Sequence, residues 1–382
     1  MRNGWQLKKL GDFISEYSVK NKCNETIPVY SVTNSQGFCK DYFSKEVASQ
    51  DKSTYKIVPY GCFAYNPSRI NVGSVDWQNK EERVIVSPLY TVFSVSENLN
   101  RDFLLYFIKS NGTMGIINSL ATGTVRLNLK LSMLKEFQII VPPLSDQKSI
   151  VEELNTINEL IRLKKEQLED YDNLAQSIFY EMFGDPVVNE KGWEKKRLGE
   201  VCSEIKYGTS KPACDNGKYK YLRMCNLSYD GYLDLTDIKR IDVSDEEIEK
   251  CIVRYGDILF NRTNSQELIG KTCMFDQQEP MVIAGYIIRV RLTKELMPQV
   301  FARMFNLASI KKLLRSMAKG AVNQANINSK ELASIQIPIP SLDLQQHFVK
   351  RIELIEQQKE EIQNTIADLE TLLASRMQYW FD

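Results

Sequence analysis

The sequence predicts a mixed α/β protein made of two pseudo-symmetric α/β domains joined by two long helices, which pack as an antiparallel coiled coil. Three observations lead to this prediction. A series of short motifs occurs twice in the same order, each series is followed by apolar residues in heptad spacing, and the chain is long. A chain of 382 residues exceeds what one ordinary core accommodates, so more than one domain is expected.

The repeated motifs begin with a Gly-Trp pair that is followed closely by a Leu-Gly pair. The first copy is Gly4, Trp5, Leu10 and Gly11, and the second is Gly192, Trp193, Leu198 and Gly199. Three further motifs recur in order: "YGCFAYNPSRI" (60–70) with "YGDILFNRTNS" (255–265), "SLATGTV" (119–125) with "SMAKGAV" (316–322), and "EFQIIVPPLSDQ" (136–147) with "SIQIPIPSLDLQ" (334–345). The distance between copies grows from 188 residues (4 to 192) to 198 residues (147 to 345). This period indicates a duplicated domain-plus-helix unit with small insertions in the second copy.

Each globular half has the pattern of mixed α/β structure. Strand-like apolar runs occur at 84–95 and 281–292, and helical stretches follow at 101–110 and 298–316. We place the domain boundaries at the ends of the long helices. The predicted division is a first globular domain at 1–143, a helix at 144–185, a second globular domain at 186–342 and a helix at 343–382.

The two long helices show apolar residues stepping alternately by four and three, which is the coiled-coil period. The residues that we predict to pair the helices are Leu154, Ile157, Ile161, Leu168, Ile352, Ile355, Ile362 and Ile366. Ser145 and Asp343 are the predicted N-caps. Gly184 and Pro186 are predicted to end the first helix.

A lysine interrupts each apolar seam, at Lys164 and at Lys359. Two interpretations are open. A polar residue on the seam disfavours slipped pairings and so fixes the register. Alternatively, the alkyl stem lies along the seam while the ammonium group reaches water.

Charge alternates along a chain whose net charge is zero. Residues 1–143 carry 17 Lys and Arg against 12 Asp and Glu, and residues 186–342 carry 24 against 19. The helical segments are acidic, with 4 against 10 at 144–185 and 4 against 8 at 343–382. This alternation is typical of a protein that binds nucleic acid through its basic globular halves and not through its acidic helices.

Other function classes lack their characteristic residues. The eight cysteines form no C-x-x-C pair and the chain has one histidine, so a Cys/His zinc site is not expected. No stretch has the length and apolarity of a membrane span or a signal region, and a cytoplasmic location with reduced thiols is expected. "YNPS" (65–68) lacks the second proline and the aromatic residue of a methyltransferase loop, and Ser265 stands where the phosphate loop suggested by "IGKT" (269–272) needs glycine.

The chain resembles the specificity (S) subunit of type I restriction–modification systems over nearly its whole length. The resemblance rests on the two "GW…LG" openings, on "IKYGTSKPA" (205–213) and "GDILFNR" (256–262), and on the exits "PPLSDQ" (142–147) and "PSLDLQ" (340–345). It implies two target-recognition domains that each read half of a split, asymmetric DNA site. It also implies that the helices act as a spacer and as the docking platform for two methyltransferase (M) subunits. Restriction (R) motor-nuclease subunits would join the complex and add ATP-driven cleavage.

The same resemblance implies that this chain is not catalytic and holds no cofactor or metal. S-adenosylmethionine, ATP and Mg²⁺ are expected on the partner subunits. Base readout favours Arg or Lys at guanine and Asn or Gln at adenine, and loop-like stretches rich in these residues supply candidates for DNA contact. The candidates are Asn66, Arg69 and Arg126 in the first half, and Lys206, Thr209, Lys211, Arg262, Asn323 and Gln324 in the second.

Three other interpretations remain open. A specificity subunit of a related non-type-I system would pair with one combined restriction–methylation subunit. A fused restriction–modification enzyme would need the catalytic motifs that are missing. A coiled-coil scaffold would explain the helices but not the basic globular halves.

Overall fold

The structure is a computed structural model that describes residues 4–40, 51–120, 128–321 and 324–382, with backbone alone at 320, 321 and 324. The chain forms two compact units. The first unit comprises Met1–Lys165 and Asn364–Asp382, and the second comprises Glu166–Gln363. Each long helix therefore contributes one half to each unit, although the sequence pattern divides the chain at the helix ends.

The described part of the first unit contains short strands, three short helices, the first part of one long helix and the last part of the other. Its elements are β1 (Gln6–Lys9), β2 (Ile14–Glu16), β3 (Tyr30–Thr33), β4 (Gly37–Lys40), β5 (Lys56–Pro59), β6 (Phe63–Tyr65), β7 (Val75–Trp77), β8 (Arg83–Val86), β9 (Thr91–Val95), α1 (Arg101–Lys109), α2 (Asn111–Ser119), α3 (Leu131–Lys135), β10 (Gln138–Val141) and α4 (Leu144–Phe183). An antiparallel four-stranded sheet in the order β2-β9-β6-β7 forms its centre, and the pairs β1-β10, β3-β4 and β5-β8 surround it.

The second unit repeats this arrangement with additional strands. Its elements are β11 (Lys195–Arg197), β12 (Cys202–Tyr207), β13 (Tyr219–Leu222), β14 (Lys239–Ile241), α5 (Asp245–Cys251), β15 (Ile252–Val253), β16 (Ile258–Asn261), β17 (Thr263–Asn264), β18 (Thr272–Met274), β19 (Met281–Ile283), β20 (Ile287–Leu292), α6 (Pro298–Asn306), α7 (Ala308–Met317), β21 (Lys319–Ala321), β22 (Gln324–Asn326), α8 (Ser329–Ala333), β23 (Gln336–Pro338) and α9 (Leu342–Phe381). The central sheet has the order β12-β20-β16-β18, and beside it lie the sheets β14-β13-β19-β15 and β17-β22-β21 and the pair β11-β23.

The predicted duplication is confirmed by matching hydrogen bonds inside the two units. In the first unit, the backbone N–H of Leu10 donates to the carbonyl oxygen of Phe137 (2.8 Å). In the second unit, Leu198 donates to Ile335 in the same way (2.9 Å). The strand that opens each half therefore pairs with the strand that leads into its long helix, which closes each half on itself.

The two predicted strand-like runs are each interrupted. Residues 84–95 contain β8 and β9, separated by a turn that includes Pro88, and residues 281–292 contain β19 and β20. Proline cannot donate a ladder hydrogen bond, which explains the first interruption. The predicted helical stretch at 101–110 corresponds to α1, and the one at 298–316 is divided into α6 and α7.

The predicted N-caps of the long helices, Ser145 and Asp343, each lie two residues after the observed ones, about half a turn. The carbonyl oxygen of Pro143 accepts from the N–H of Gln147, and that of Ser341 accepts from Gln345, so these residues cap α4 and α9. At the other end the prediction is confirmed: α4 ends at Phe183, and Gly184 follows with φ +75°.

Each unit has its main core where the central sheet meets the helices. In the first unit, Leu10, Phe63, Phe103 and Leu154 belong to one buried cluster, against which Trp5 packs. In the second unit, Phe260, Phe301, Phe179 and Phe348 belong to the corresponding cluster. The long helices thus supply part of each core, and burial of these apolar side chains holds the helices to both globular halves.

Candidate nucleic-acid interface

The first-half candidates Asn66 and Arg69 lie in one tight turn that follows β6. The side-chain oxygen of Asn66 accepts from the N–H of Ser68 (3.0 Å), and the carbonyl oxygen of Asn66 accepts from the N–H of Arg69 (2.9 Å). Ile70, which is fully buried, anchors the turn to the core. Arg69 is exposed, and its guanidinium has no hydrogen-bond or ion-pair partner in the part of the chain that the structure describes. The turn therefore holds a cation at the surface of the first unit.

The second half places Arg262 at the corresponding point of its own framework. In the first unit the N–H of Leu129 donates to the carbonyl oxygen of Pro67 (3.1 Å), and in the second the N–H of Ile327 donates to that of Arg262 (2.9 Å). Arg262 therefore occupies the position of Pro67, one residue after the equivalent pair Asn66 and Asn261. The two halves keep the same backbone bonds and present different side chains.

Two second-half candidates are paired with carboxylates within the protein. The ammonium group of Lys206 lies 2.7 Å from Glu204, and that of Lys211 lies 2.7 Å from Glu247. The hydrogen bonds from these lysines lower the pKa of both carboxyl groups, so Glu204 and Glu247 are ionised at neutral pH. Because the pairs are partly exposed, each lysine can exchange its carboxylate for a phosphate at small cost.

The hydroxyl group of Thr209 is occupied inside the protein. Thr209 is 4% exposed, and its hydroxyl donates to Glu247 while accepting from the N–H of Lys211 (3.2 Å). In this structure Thr209 orients the loop that carries Lys211 and does not present its hydroxyl at the surface.

Arg262 is accompanied by a residue that sequence reasoning missed. Its guanidinium carbon lies 4.9 Å from the ring centroid of Tyr207, the last residue of β12. The tyrosine hydroxyl donates to the hydroxyl oxygen of Ser329 (3.0 Å) and accepts from the N–H of Ser329 (2.8 Å). The tyrosine of "KYGTSK" was visible in the sequence, but its contact with Arg262 depends on a strand pairing that the sequence does not display.

Three candidates cannot be placed at side-chain level. Arg126 and Asn323 lie outside the described residues, and only the backbone of Gln324 is described. Gln324 begins β22, which pairs with β17 directly after Arg262. These residues stay predictions.

The residues predicted to pair the helices lie on the inner faces of α4 and α9. Each of them is at most 8% exposed apart from Leu168, which is half-buried. In the first unit, Glu153 binds Arg376 through two hydrogen bonds, and Lys165 lies 2.8 Å from Glu370. Residue numbers rise along one helix as they fall along the other, so the helices pack antiparallel.

The second unit shows the same direction of packing. Phe348 contacts Phe183 and Phe179, with ring centroids 5.1 and 5.5 Å apart, and Lys359 lies 2.6 Å from Asp172. The antiparallel packing predicted from the heptads is confirmed within each unit.

The seam lysine Lys359 is held by polar groups and does not extend into water. Its side chain is 7% exposed, and its ammonium group donates to Asp172 (2.6 Å) and to the hydroxyl of Tyr232 (2.7 Å). Arg303 pairs with Glu356 beside them. Burial lowers the pKa of Lys359, but the hydrogen bonds to Asp172 and Tyr232 outweigh it and raise the pKa above its usual value. The idea that the ammonium of Lys359 reaches water is therefore wrong.

A buried glutamine joins each long helix to its globular half. Gln147, at the end of "PPLSDQ", accepts from the N–H of Asn100 (2.7 Å) and donates to the carbonyl oxygens of Pro142 (2.8 Å) and Asn98 (3.2 Å). This explains why a glutamine closes the first motif.

Gln345 closes the second motif in the same way. It accepts from the N–H of Met297 (2.8 Å) and donates to the carbonyl oxygens of Pro340 and Glu295 (2.9 Å each). Both glutamines are completely buried. The repeated motif therefore encodes a three-bond attachment of helix to globular half.

Two kinds of site are absent from the described residues. No group of three or more His, Cys, Asp or Glu side chains is placed to hold a metal ion. No described helix combines the length and apolarity needed to cross a membrane.

Comparison with known proteins gives consistent matches. The family described as "Type I restriction modification DNA specificity domain" matches residues 2–170 and 190–371. The EcoKI specificity subunit of Escherichia coli K12 is 27% identical over 268 residues, which cover 66% of this chain and 57% of that protein. The MjaVIII specificity subunit of Methanocaldococcus jannaschii is 24% identical over 294 residues, covering 71% and 68%. Matches to the first of these relatives thus span little more than half of the relative's length.

Solved structures show the same fold. A chain solved in work on complex assembly and conformational transition of the type I R-M system aligns with a TM-score of 0.64 at 19% identity, covering 100% of this chain and 98% of that one. The type I restriction–modification S subunit of M. genitalium aligns with a TM-score of 0.53 at 15% identity, covering 100% and 98%. The family model matches two segments that together cover most of this chain, so the chain belongs to the type I restriction modification DNA specificity domain family.

Proposed function

We propose that the chain is the DNA-specificity subunit of a type I restriction–modification complex and that it recognises a bipartite, asymmetric DNA site. One observation supports this most strongly. The two halves share a hydrogen-bonded framework, and at equivalent points it carries Asn66-Pro67 in one half and Asn261-Arg262 in the other. Two related surfaces with different side chains suit the reading of two different half-sites.

The chain itself is proposed to be non-catalytic and to work with partner subunits. Two methyltransferase subunits dock on it and carry S-adenosylmethionine, and restriction subunits join through them with ATP and Mg²⁺. A net charge of zero is low for a protein that binds DNA alone, so partners are expected to supply part of the affinity. The complex would act in the cytoplasm.

The decisive experiment is methylation mapping with the reconstituted complex. The chain is co-expressed with a type I modification subunit that it binds, and methylated sites are sequenced. We expect a split site with two different half-sites. Exchanging residues 186–342 for the corresponding half of a relative should change one half-site and leave the other unchanged.

Three results would contradict the proposal. The first is methylation that does not depend on the chain, and the second is methyl transfer by the purified chain alone. The third is a half-exchange that alters both half-sites. If the bound partner is instead one polypeptide with both restriction and methylation activity, the chain belongs to the related non-type-I system.

A further inference from the structure

Arg262 differs from the other described second-half candidates because it is oriented but not neutralised. Lys206 and Lys211 each have a carboxylate partner. The guanidinium of Arg262 rests on the Tyr207 ring, and its single protein hydrogen bond in the described part of the chain is a long one, from Nη1 to the carbonyl oxygen of Gly285 (3.5 Å). A planar cation packed on an aromatic face keeps a fixed plane while its outer nitrogens remain available.

Unsatisfied polar atoms collect at this point of the second unit. The Nε atom of Arg262 is buried and has no partner among the described residues. The preceding residue, Asn261, is completely buried, and neither atom of its amide group has a partner within that same part of the chain. Buried polar groups without partners are rare, so these atoms mark a point of the second unit where internal hydrogen bonding is incomplete.

The support for Tyr207 is rigid. Its hydroxyl forms two hydrogen bonds to Ser329, the first residue of α8. The preceding Asn328 caps that helix by accepting from the N–H groups of Lys330 and Glu331 (2.9 Å each). The ring on which Arg262 rests is thus attached to a capped helix, so little side-chain entropy remains to be lost when Arg262 binds a ligand.

We propose that Arg262 reads a guanine in the half-site recognised by the second half, and that Tyr207 is the residue that positions it. This inference rests on the proposed DNA-specificity function. Arginine offers two parallel N–H donors that match the O6 and N7 acceptors of guanine in the major groove. With Nε buried, the terminal nitrogens Nη1 and Nη2 form the donor pair. Pro67 stands at the equivalent place in the first half and offers no side-chain donor, so the first half cannot make the same contact there.

The test measures base preference one position at a time. The reconstituted complex with the full chain is bound to DNA duplexes in which each base pair of the second half-site is replaced in turn. For the unaltered complex, replacing one G·C pair should weaken binding by roughly 5- to 150-fold. Arg262→Ala should abolish that penalty, to less than about 2-fold, and leave the penalties at all other positions unchanged.

Three further variants separate readout from folding and from charge. Arg262→Lys keeps the charge but lacks the fork of donors, so it should retain affinity better and still lose the guanine preference. Tyr207→Leu removes the ring and should reduce the preference at the same single position, whereas Tyr207→Phe keeps the ring and should largely retain it. Lys294→Ala changes an exposed cation beyond the opposite end of β20 and should alter no base preference.

Each remaining outcome is decisive. If Arg262→Ala and Arg262→Lys keep the guanine preference, the inference is wrong. A uniform loss of affinity on all sequences, together with a smaller salt dependence, would show that Arg262 contacts a phosphate instead. If the unaltered complex shows no sequence preference at all, the proposed function fails before this inference is reached.

Discussion

At the scale of single residues, the environment of each charged side chain decides what it can do. Lys206 and Lys211 carry the same charge as Arg262, yet each of the two lysines is paired with a carboxylate. The residue types and their loop-rich setting were predictable from the sequence. Their pairing was not, because Glu247 lies on α5 and meets Lys211 through the fold, 36 positions along the chain.

Lys311 is a buried cation, and it gives a test of stability against pH. It is 4% exposed, and its ammonium group donates to the carbonyl oxygen of Gly270 (2.9 Å) and lies 4.7 Å from the centroid of the Tyr229 ring. Burial lowers the pKa of Lys311 to about 8, although Asp230 opposes the shift. The folded chain therefore releases this proton at a lower pH than the unfolded chain does.

The sign of the pH effect follows from this difference in proton binding. Between pH 8 and about 10.5 the unfolded chain binds this proton more tightly, so Lys311 by itself contributes a rise with pH to the free energy of unfolding, by at most about 3 kcal/mol. Lys311→Met should remove this rise. Urea unfolding of both proteins from pH 7 to 10.5 measures the difference.

The neighbouring residue gives a matched control for Lys311. Lys312 is exposed on the same helix, and Lys312→Met should leave the pH dependence as it is. A stability difference between the unaltered chain and Lys311→Met that stays constant over the whole pH range would contradict the assignment.

At the scale of elements, the long helices were the most predictable part of the fold. A heptad pattern predicts that one face of each helix is buried, and that face of α4 and of α9 is buried in each unit. The helix starts were misplaced because Ser145 and Asp343 are good caps in isolation, whereas the chain enters each helix earlier, at Pro143 and Ser341. The environment of Lys359 was not predictable, since its partner Tyr232 comes from a loop far away in the sequence.

Gln147 and Gln345 should contribute strongly to the attachment of the helices. Gln147→Leu leaves the N–H of Asn100 and two carbonyl groups without partners, and each unsatisfied buried group costs about 1–3 kcal/mol. We expect a loss of about 3 kcal/mol or more in the free energy of unfolding. Gln345→Leu should have an effect of similar size in the second unit.

Urea unfolding followed by circular dichroism tests the glutamine prediction. Gln363→Leu, an exposed position on α9, makes the same chemical change without breaking a described attachment and should alter stability by less than about 0.5 kcal/mol. Equal effects at all three positions would mean that the buried glutamines do not fasten the helices.

At the scale of the whole molecule, the chain combines a duplicated globular half with helices that belong to both units. The division between units falls after Lys165 on α4 and after Gln363 on α9. Duplication and charge alternation were visible in the sequence. The shared membership of the helices was not, because it depends on which residues of the two helices pack together.

The helices are predicted to set the spacing between the two half-sites. One heptad added after Lys165 and one after Gln363 keep the seam in phase and leave the Lys359 contacts intact. Each helix becomes longer by about 10 Å, at 1.5 Å per residue. This corresponds to roughly three base pairs of B-DNA at 3.4 Å per step. Methylation mapping should show loss of the original site and weak recovery where the gap is about three pairs longer.

The rotation of DNA explains why only weak recovery is expected. Three added base pairs turn the second half-site by about 100°, given 10–10.5 pairs per turn, and the coiled coil or the DNA must absorb this twist. A heptad added to one helix alone is the control. It shifts the apolar residues of that helix relative to their partners on the other helix, so the melting temperature should fall. Both half-site sequences should stay unchanged, because neither globular half is altered. Full activity of the doubly extended chain on the original gap would show that the helices do not determine the spacing.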